Sequence, residues 1–212
     1  MTTTPFQRRT VLLLLLISVV ALALRLPGLS QSLWYDEMYS LLHHIVQPWE
    51  QILAGDYSPN NHILFTIAAK IAFLAGLSIR LPSLLAGAAV GIALAWPLRR
   101  TAPGAALAVA AIAALHPWLI SFSISARGYA LMLLLCALAT SCLPARQRLI
   151  DSRYALLAAA SLYTQPLALL AIVGHGVSVL VLRHDLLATW IRSAAAAGVL
   201  AAILYGPMLS GA

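Results

Sequence analysis

Apolar runs close to the length of a membrane-crossing helix follow one another along this chain, separated by short polar gaps. A hydrocarbon core takes about 20 residues of helix. Runs near that length cover residues 10–29, 80–98, 104–124, 128–143, 153–165, 166–183 and 187–207, those near 128 and 153 being short. A further stretch, 61–76, is interrupted by His62, Thr66 and Lys70 at i, i+4 and i+8. That spacing lays a polar stripe on one helix face, which suits an interfacial or partly inserted helix better than a span. The pattern predicts an all-α membrane protein: one transmembrane domain over residues 1–212, with about seven spans and outer juxtamembrane helices.

The one long polar stretch, 30–61, reads as an outer loop that carries those juxtamembrane helices. Pro48 suits the first turn of a short helix and Gly55 the position past its end. Leu41, Leu42, Ile45, Val46, Trp49, Ile52 and Leu53 would let such helices lie along the membrane surface. Trp34, Tyr35, Trp49 and Tyr57 are residues of the interface.

Composition agrees. Hydrophobic residues make up 62% of the chain and charged residues 9%, against about 25% charged in soluble domains. A soluble fold of this size needs a polar exterior that so few charges cannot supply. The net charge of +7 does not point to nucleic acid, because the basic residues sit in the gaps between apolar runs. Arg8 and Arg9, Arg99 and Arg100, the group Arg146, Arg148 and Arg153, and Arg183 mark cytoplasmic ends. An odd number of crossings must then separate residue 30 from Arg99, which is the second reason to keep 61–76 out of the span count. The predicted topology has the N-terminus in the cytoplasm. Arg8 and Arg9 before an apolar run, with Ala21-Leu22-Ala23 near its end, also resemble a signal peptide. The spans that follow favour an uncleaved first helix. Cys136 and Cys142, six residues apart in one run, read as small buried apolar residues.

Chemistry is confined to few residues. Of six acidic side chains, Asp36, Glu37, Glu50 and Asp56 fall in the outer segment. Asp36 and Glu37 could serve as a general base at the membrane surface. Asp36 could equally cap a helix starting near Met38, with Glu37 favoured by the helix dipole. Arg127, in Ser125-Ala126-Arg127-Gly128-Tyr129, lies on the predicted outer side against the positive-inside trend, so an anionic group or a carboxylate partner is expected beside it. Arg80, Lys70 and Arg25 are further outer cations. Cations facing an acidic pair suit a phosphate-bearing lipid, although each alone can be a headgroup contact. Asn60, Asn61 and His62 either cap the interfacial helix or hydrogen-bond sugar hydroxyls. His43 and His44, with Asp36 and Glu37, leave a divalent metal open, and no metal ligand is assigned. Phosphate-loop, dinucleotide, zinc-protease and nucleophile-elbow patterns are missing from the sequence. No ionisable row runs through the bilayer, as a proton- or ion-coupled transporter would show, and no polar path crosses it, as a lipid flippase or small transporter would need.

Several segments taken in order carry a resemblance. They are Leu33-Trp34-Tyr35-Asp36-Glu37-Met38-Tyr39, Pro59-Asn60-Asn61-His62-Ile63-Leu64-Phe65, Arg80-Leu81-Pro82-Ser83, the Arg99-Arg100 turn, His116-Pro117-Trp118, Ser125 to Leu131 and Tyr163-Thr164-Gln165. This order resembles the polytopic membrane glycosyltransferases of the GT-C class, in the bacterial branch akin to the protein O-mannosyltransferases and the aminoarabinose lipid A transferases. The resemblance implies a bacterial inner-membrane enzyme that takes a sugar from a polyprenyl-phosphate donor on the outer face, with inversion, and passes it to an acceptor lipid, glycan or protein. It implies Asp36, with Glu37 beside it, as the base, and Arg127, Arg80 and Lys70 as donor-phosphate ligands. Tyr129, Asn60, Asn61 and His62 are the expected substrate contacts. Members of the class continue with more spans and often a soluble domain, so the resemblance is to their N-terminal module. They often carry Pro-Pro where this chain has Pro59-Asn60. Two other readings remain: a module that binds polyprenyl phosphate without catalysis, or a flippase.

Overall fold

The computed structural model describes residues 5–55, 58 and 60–209. Asp56, Tyr57 and Pro59 lie outside the described residues. The chain is 80% helical, with no strand among the described residues, an all-α protein. Among the described residues the α-helices are α1 (Pro5–Arg25), α2 (Tyr35–Ser40), α3 (Trp49–Ala54), α4 (Ile63–Leu74), α5 (Leu81–Ala95), α6 (Pro103–Leu115), α7 (Pro117–Ser123), α8 (Tyr129–Ser141), α9 (Ser152–Thr164), α10 (Ala168–Leu182) and α11 (Leu187–Leu209).

Among the described residues three stretches are long and apolar enough to cross a membrane: Gln7–Ser30, Leu81–Arg99 and His184–Leu209. They become four if α6 and α7, bent by 60° at their junction, form one span. This is fewer than the seven expected. The run 104–124 is broken because Pro117 has no N–H to offer Ala113 and cannot continue the helix. The freed carbonyls are taken by Arg25, wholly buried at the end of α1. Its guanidinium donates to Ala114 O at 3.0 Å, Ala113 O at 3.5 Å and Ser123 Oγ at 3.0 Å. Arg25 therefore splints the bend and is not an outer cation open to a ligand. The other expected runs shorten to 13-residue α8 and α9 and 15-residue α10.

α5 is the central helix and packs against α1, α4, α6, α7 and α8. Its sequence explains the close approach. Ser83, Gly87, Gly91 and Ala95 recur every fourth residue and put small side chains on one face. A Cβ on Gly87 would collide with Ser123 of α7, and one on Gly91 would fall 3.1 Å from Ala110 O of α6. Ser83 Oγ donates to the Arg127 carbonyl at 2.8 Å, which ties α5 to the turn before α8. The outward faces of α1, α10 and α11 are apolar and exposed, with Leu12, Leu16, Val19, Leu170, Val181, Val199 and Ile203 among them. A soluble protein would not leave so much apolar surface bare, and lipid accounts for it.

The helices run alternately between two ends of the bundle. One end gathers the close of α1, the starts of α5, α8 and α10 and the close of α9. The other gathers Arg8, Arg9, Arg99, Arg100, Arg148, Arg153, Arg183 and Arg192. Asp151 starts α9 there by accepting from Tyr154 N at 3.5 Å, and Arg192 of α11 donates to Leu149 O at 2.7 Å. α4 lies across the first end. Its stripe of His62, Thr66 and Lys70 is buried against the protein, not turned to solvent.

Candidate functional site

α2 splits the acidic pair. Successive helix residues diverge by about 100°, so Glu37 and Asp36 cannot share one pocket. Glu37 points inward and is 1% exposed. Its Oε2 accepts from Trp34 N at 2.9 Å and so caps α2. The cap is Glu37 and not Asp36, and the helix begins at Tyr35. Arg80 closes on the same carboxylate from the foot of α5, with Nε to Oε1 at 2.8 Å and Nη2 to Oε2 at 2.6 Å. The other Arg80 donors reach Gly28 O and Gln31 O at 2.7 Å each and Ser32 O at 2.9 Å. Ala126 N adds a fourth donor to Glu37, at 2.5 Å. Burial pushes the Glu37 carboxyl up, but Arg80 and the Trp34 and Ala126 amides outweigh it, and the carboxyl ends below its usual range.

This geometry corrects two expectations. Glu37 has no face open to an acceptor, and Arg80 has no donor left for a phosphate. Together they stitch the loop after α1 to α5 and to the turn before α8. Lys70 is also withdrawn: its ammonium donates to the carbonyls of Ile45 and Gln47 and lies 5.2 Å from the Trp49 ring. It pins the segment between α2 and α3. Asn61 turns inward and accepts from Thr66 Oγ1 at 2.9 Å.

Asp36 faces the other way. Its Oδ2 lies 2.7 Å from Nη1 of Arg127, with the two side chains 50% and 24% exposed. Nη2 of Arg127 donates to Asn60 Oδ1 at 3.0 Å, and the guanidinium sits 4.9 Å from the Tyr129 ring. Its Nε is buried without a hydrogen-bond partner. Asp36, Arg127, Asn60 and Tyr129 thus come together from α2, the α3–α4 loop and the start of α8.

His62 stands behind this group as wall, not as a ligand contact. Its ring meets Tyr129 edge-on, with centroids 5.1 Å apart, and neither ring nitrogen has a hydrogen-bond partner. Burial, then the Arg127 charge, hold the imidazole neutral, with its pKa down at about 4. The Thr164 backbone favours the proton from beyond hydrogen-bond geometry, too weakly to reverse this. Gly128 has an ordinary φ of −70°, so what it supplies is space. A Cβ there would fall 2.8 Å from His62 Cβ and 3.0 Å from Thr164 Cγ2.

Two clefts flank Arg127 and Tyr129. One, of about 200 Å³, is lined by Gln31, Trp34, Asp36, Ser121, Phe122 and Ser125 among others. The second, of about 590 Å³ and more open, runs from Asn60 and Gln165 onto Leu167, Leu169 and Leu170 at the start of α10. Trp34, Gln31 and Gln165 were not singled out as site residues in the sequence, because no spacing marks them. Among the described residues no group of three or more His, Cys, Asp or Glu side chains converges, so His43 and His44 are not joined to the acidic pair as a metal cluster.

Fold and site together define an all-α protein with three or four helices long and apolar enough to cross a membrane among its described residues, and a half-exposed acid–arginine pair between a smaller cleft and an apolar-floored groove. No family model, curated protein or solved structure matches this chain.

Proposed function

We propose that this chain is a membrane glycosyltransferase that moves a sugar from a polyprenyl-phosphate donor to an acceptor hydroxyl, with inversion, on the outer face of a bacterial inner membrane. The observation that carries the reading is the Asp36–Arg127 pair at 2.7 Å, set between the two clefts. In this reading the bent α6–α7 pair, α8, α9 and α10 join the three long helices to make seven crossings. The arginine-rich end is then cytoplasmic and the site faces out, as the positive-inside rule asks. The alternating direction of the helices supports this topology.

The donor phosphate sits against Arg127 and Asn60, and the first isoprene units lie on Leu167, Leu169 and Leu170. The acceptor enters the smaller cleft beside Asp36. The phosphodiester of the donor, a monoanion, competes with Asp36 for the guanidinium and frees the carboxylate as it binds. Asp36 then takes the proton of the acceptor hydroxyl. The oxygen attacks the anomeric carbon, the carbon–oxygen bond to phosphate breaks, and polyprenyl phosphate leaves with the electron pair, its charge balanced by Arg127.

One observation favours a second reading. Asp36 is held by Arg127 in this structure, which suits a module that binds polyprenyl phosphate without catalysis. Gene deletion with complementation separates the two. Glycosylated lipids, glycans and proteins are profiled by mass spectrometry after restoring wild type, Asp36→Asn or Arg127→Ala at matched membrane levels. Loss of one sugar that only wild type restores supports the transferase. Full restoration by Asp36→Asn removes Asp36 as the base and moves the binding module to the front.

A further inference from the structure

The smaller cleft beside Asp36 is walled by aromatic rings. Trp34, just before α2, Phe122 of α7 and Tyr129 at the start of α8 all line it. The Phe122 and Tyr129 ring centroids are 5.0 Å apart, and exposed Trp118 continues the series 5.9 Å from Phe122. Three polar groups stand among these rings. The second carboxylate oxygen of Asp36, the Gln31 side-chain amide and the Ser121 hydroxyl make no hydrogen bond to the described protein. Both carboxylates in the lining are paired, Asp36 with Arg127 and Glu37 with Arg80, so the cleft carries no excess charge.

Aromatic walls set with free hydrogen-bonding groups ask for an uncharged ligand that is apolar on its faces and polar at its rim. A pyranose ring has that form. Its C–H groups stack on the negative face of an aromatic ring, and its hydroxyls point outward. The volume of about 200 Å³ is below the roughly 300 Å³ at which pockets for drug-sized ligands begin, so the cleft suits one ring and not a long segment. A serine or threonine side chain would bring a hydroxyl to Asp36 and leave the Trp34 and Phe122 rings unused. We infer that the acceptor is a glycan, one uncharged sugar unit of which enters the smaller cleft, its ring against Trp34 and Phe122 and its hydroxyls on Gln31, Ser121 and Asp36. The new glycosidic bond then forms at the hydroxyl oxygen as the bond from the anomeric carbon to phosphate breaks, and the hydroxyl proton passes to Asp36. The inference rests on the proposed transfer for calling this sugar the acceptor, whereas binding of a sugar in the cleft needs no turnover.

The test is saturation-transfer-difference NMR on the purified full chain in a polyoxyethylene detergent, because sugar-based detergents would compete. The probes are the methyl glycosides of glucose, galactose, mannose and N-acetylglucosamine, with N-acetylserinamide and N-acetylthreoninamide as the peptide arm. The expected result is saturable binding of at least one glycoside, with signal chiefly on its ring C–H groups, and none of either amide. Trp34→Ala, at a side chain 72% exposed, and Phe122→Leu should each weaken that binding about fivefold, the size of one aromatic stacking contact. Binding of a short-chain polyprenyl phosphate should stay unchanged in both. In Asp36→Asn, used to prevent turnover, polyprenyl-phosphate glucose and polyprenyl-phosphate mannose should leave the glycoside signal in place. Displacement by these sugar-bearing lipids and not by plain polyprenyl phosphate would give the cleft to the donor sugar and overturn the inference. Binding of the serine or threonine amide in place of a glycoside, no saturable glycoside signal, or a signal unchanged in both aromatic variants would overturn it too. In each of these cases intact polyprenyl phosphate binding leaves the transferase reading standing, whereas its loss from the wild-type chain removes that reading instead.

Discussion

Asp36 and Glu37 are neighbours in sequence, both acidic, each paired with an arginine about 2.7 Å away, and they do different work. The Glu37–Arg80 pair is buried on both sides at 1% exposure, with every donor and acceptor engaged. The Asp36–Arg127 pair is half in solvent and borders two clefts. A buried pair with many backbone partners fixes geometry, since neither charge can leave without stranding the other. A half-exposed pair contributes little to stability and can be exchanged for a ligand. About 100° of helix rotation thus separates the rivet from the exchangeable pair, and the rivet holds the platform on which that pair stands.

The largest break in this comparison comes from Glu37→Ala. It strands the Arg80 guanidinium in a buried site, a loss of about 3–5 kcal/mol. Thermal unfolding of the purified protein measures it, and the expected outcome is a marked fall in midpoint and in membrane yield. A variant as stable as wild type would mean that Arg80 is not held as described.

Next in size is Gly128→Ala. The added Cβ falls against His62 Cβ and Thr164 Cγ2 at 2.8 and 3.0 Å. Such overpacking costs roughly 1–3 kcal/mol. Adding Thr164→Ser should return part of the loss, because it removes the Cγ2 that the new methyl meets at 3.0 Å. Strict additivity of the two changes in a double-mutant cycle would place Thr164 elsewhere.

The pH dependence of stability sharpens the comparison further. His62 is depressed from 6.5 to about 4, so its contribution is full above 6.5, falls as the unfolded chain takes up a proton, and is lost by about pH 4. Glu37 is also depressed, from 4.5, so its share persists above 4.5 and is lost only as pH drops through the lower folded value. Unfolding midpoints followed from pH 7 to 3 should show two limbs. His62→Phe should shrink the limb between pH 6.5 and 4 to the part that His44, also depressed by burial and by the His43 charge, contributes, and leave the more acidic one. A His62→Phe profile parallel to wild type throughout would mean that the imidazole is not held neutral in the fold.

The helical character was legible because apolar runs and arginine gaps are one-dimensional signals. Membrane-crossing length was less so. The run 104–124 is continuous in hydropathy although Pro117 breaks it, and the repair by Arg25, some 90 residues away, leaves no mark in the sequence. The fate of the acidic pair was hidden for a similar reason. Spacing within α2 says that two adjacent carboxylates diverge, but not which one meets Arg80. Arg127 stood out because its position ran against the charge trend, and the carboxylate partner expected beside it is Asp36. Lys70 stood out in the same way and proved to hold a loop, since a cation in an apolar stretch signals a partner but not its kind.

The smallest expected effect carries the most information. Asp36→Asn removes one side of a half-exposed pair, so stability should change by only about 0–1 kcal/mol. Arg127 keeps Asn60 and the Tyr129 face, so the guanidinium should stay in place. If it is the seat of a lipid phosphate, losing its competing carboxylate should strengthen binding of a short-chain polyprenyl phosphate. The gain expected is up to about fivefold, the binding equivalent of that same energy. Isothermal titration on wild type, Asp36→Asn and Arg127→Ala reads this directly. Tighter binding in Asp36→Asn with loss in Arg127→Ala separates the roles of the two residues: one binds the leaving group and the other waits for it. Weaker binding in both would mean that carboxylate and guanidinium form one recognition unit, and that the phosphate does not displace Asp36 as it arrives.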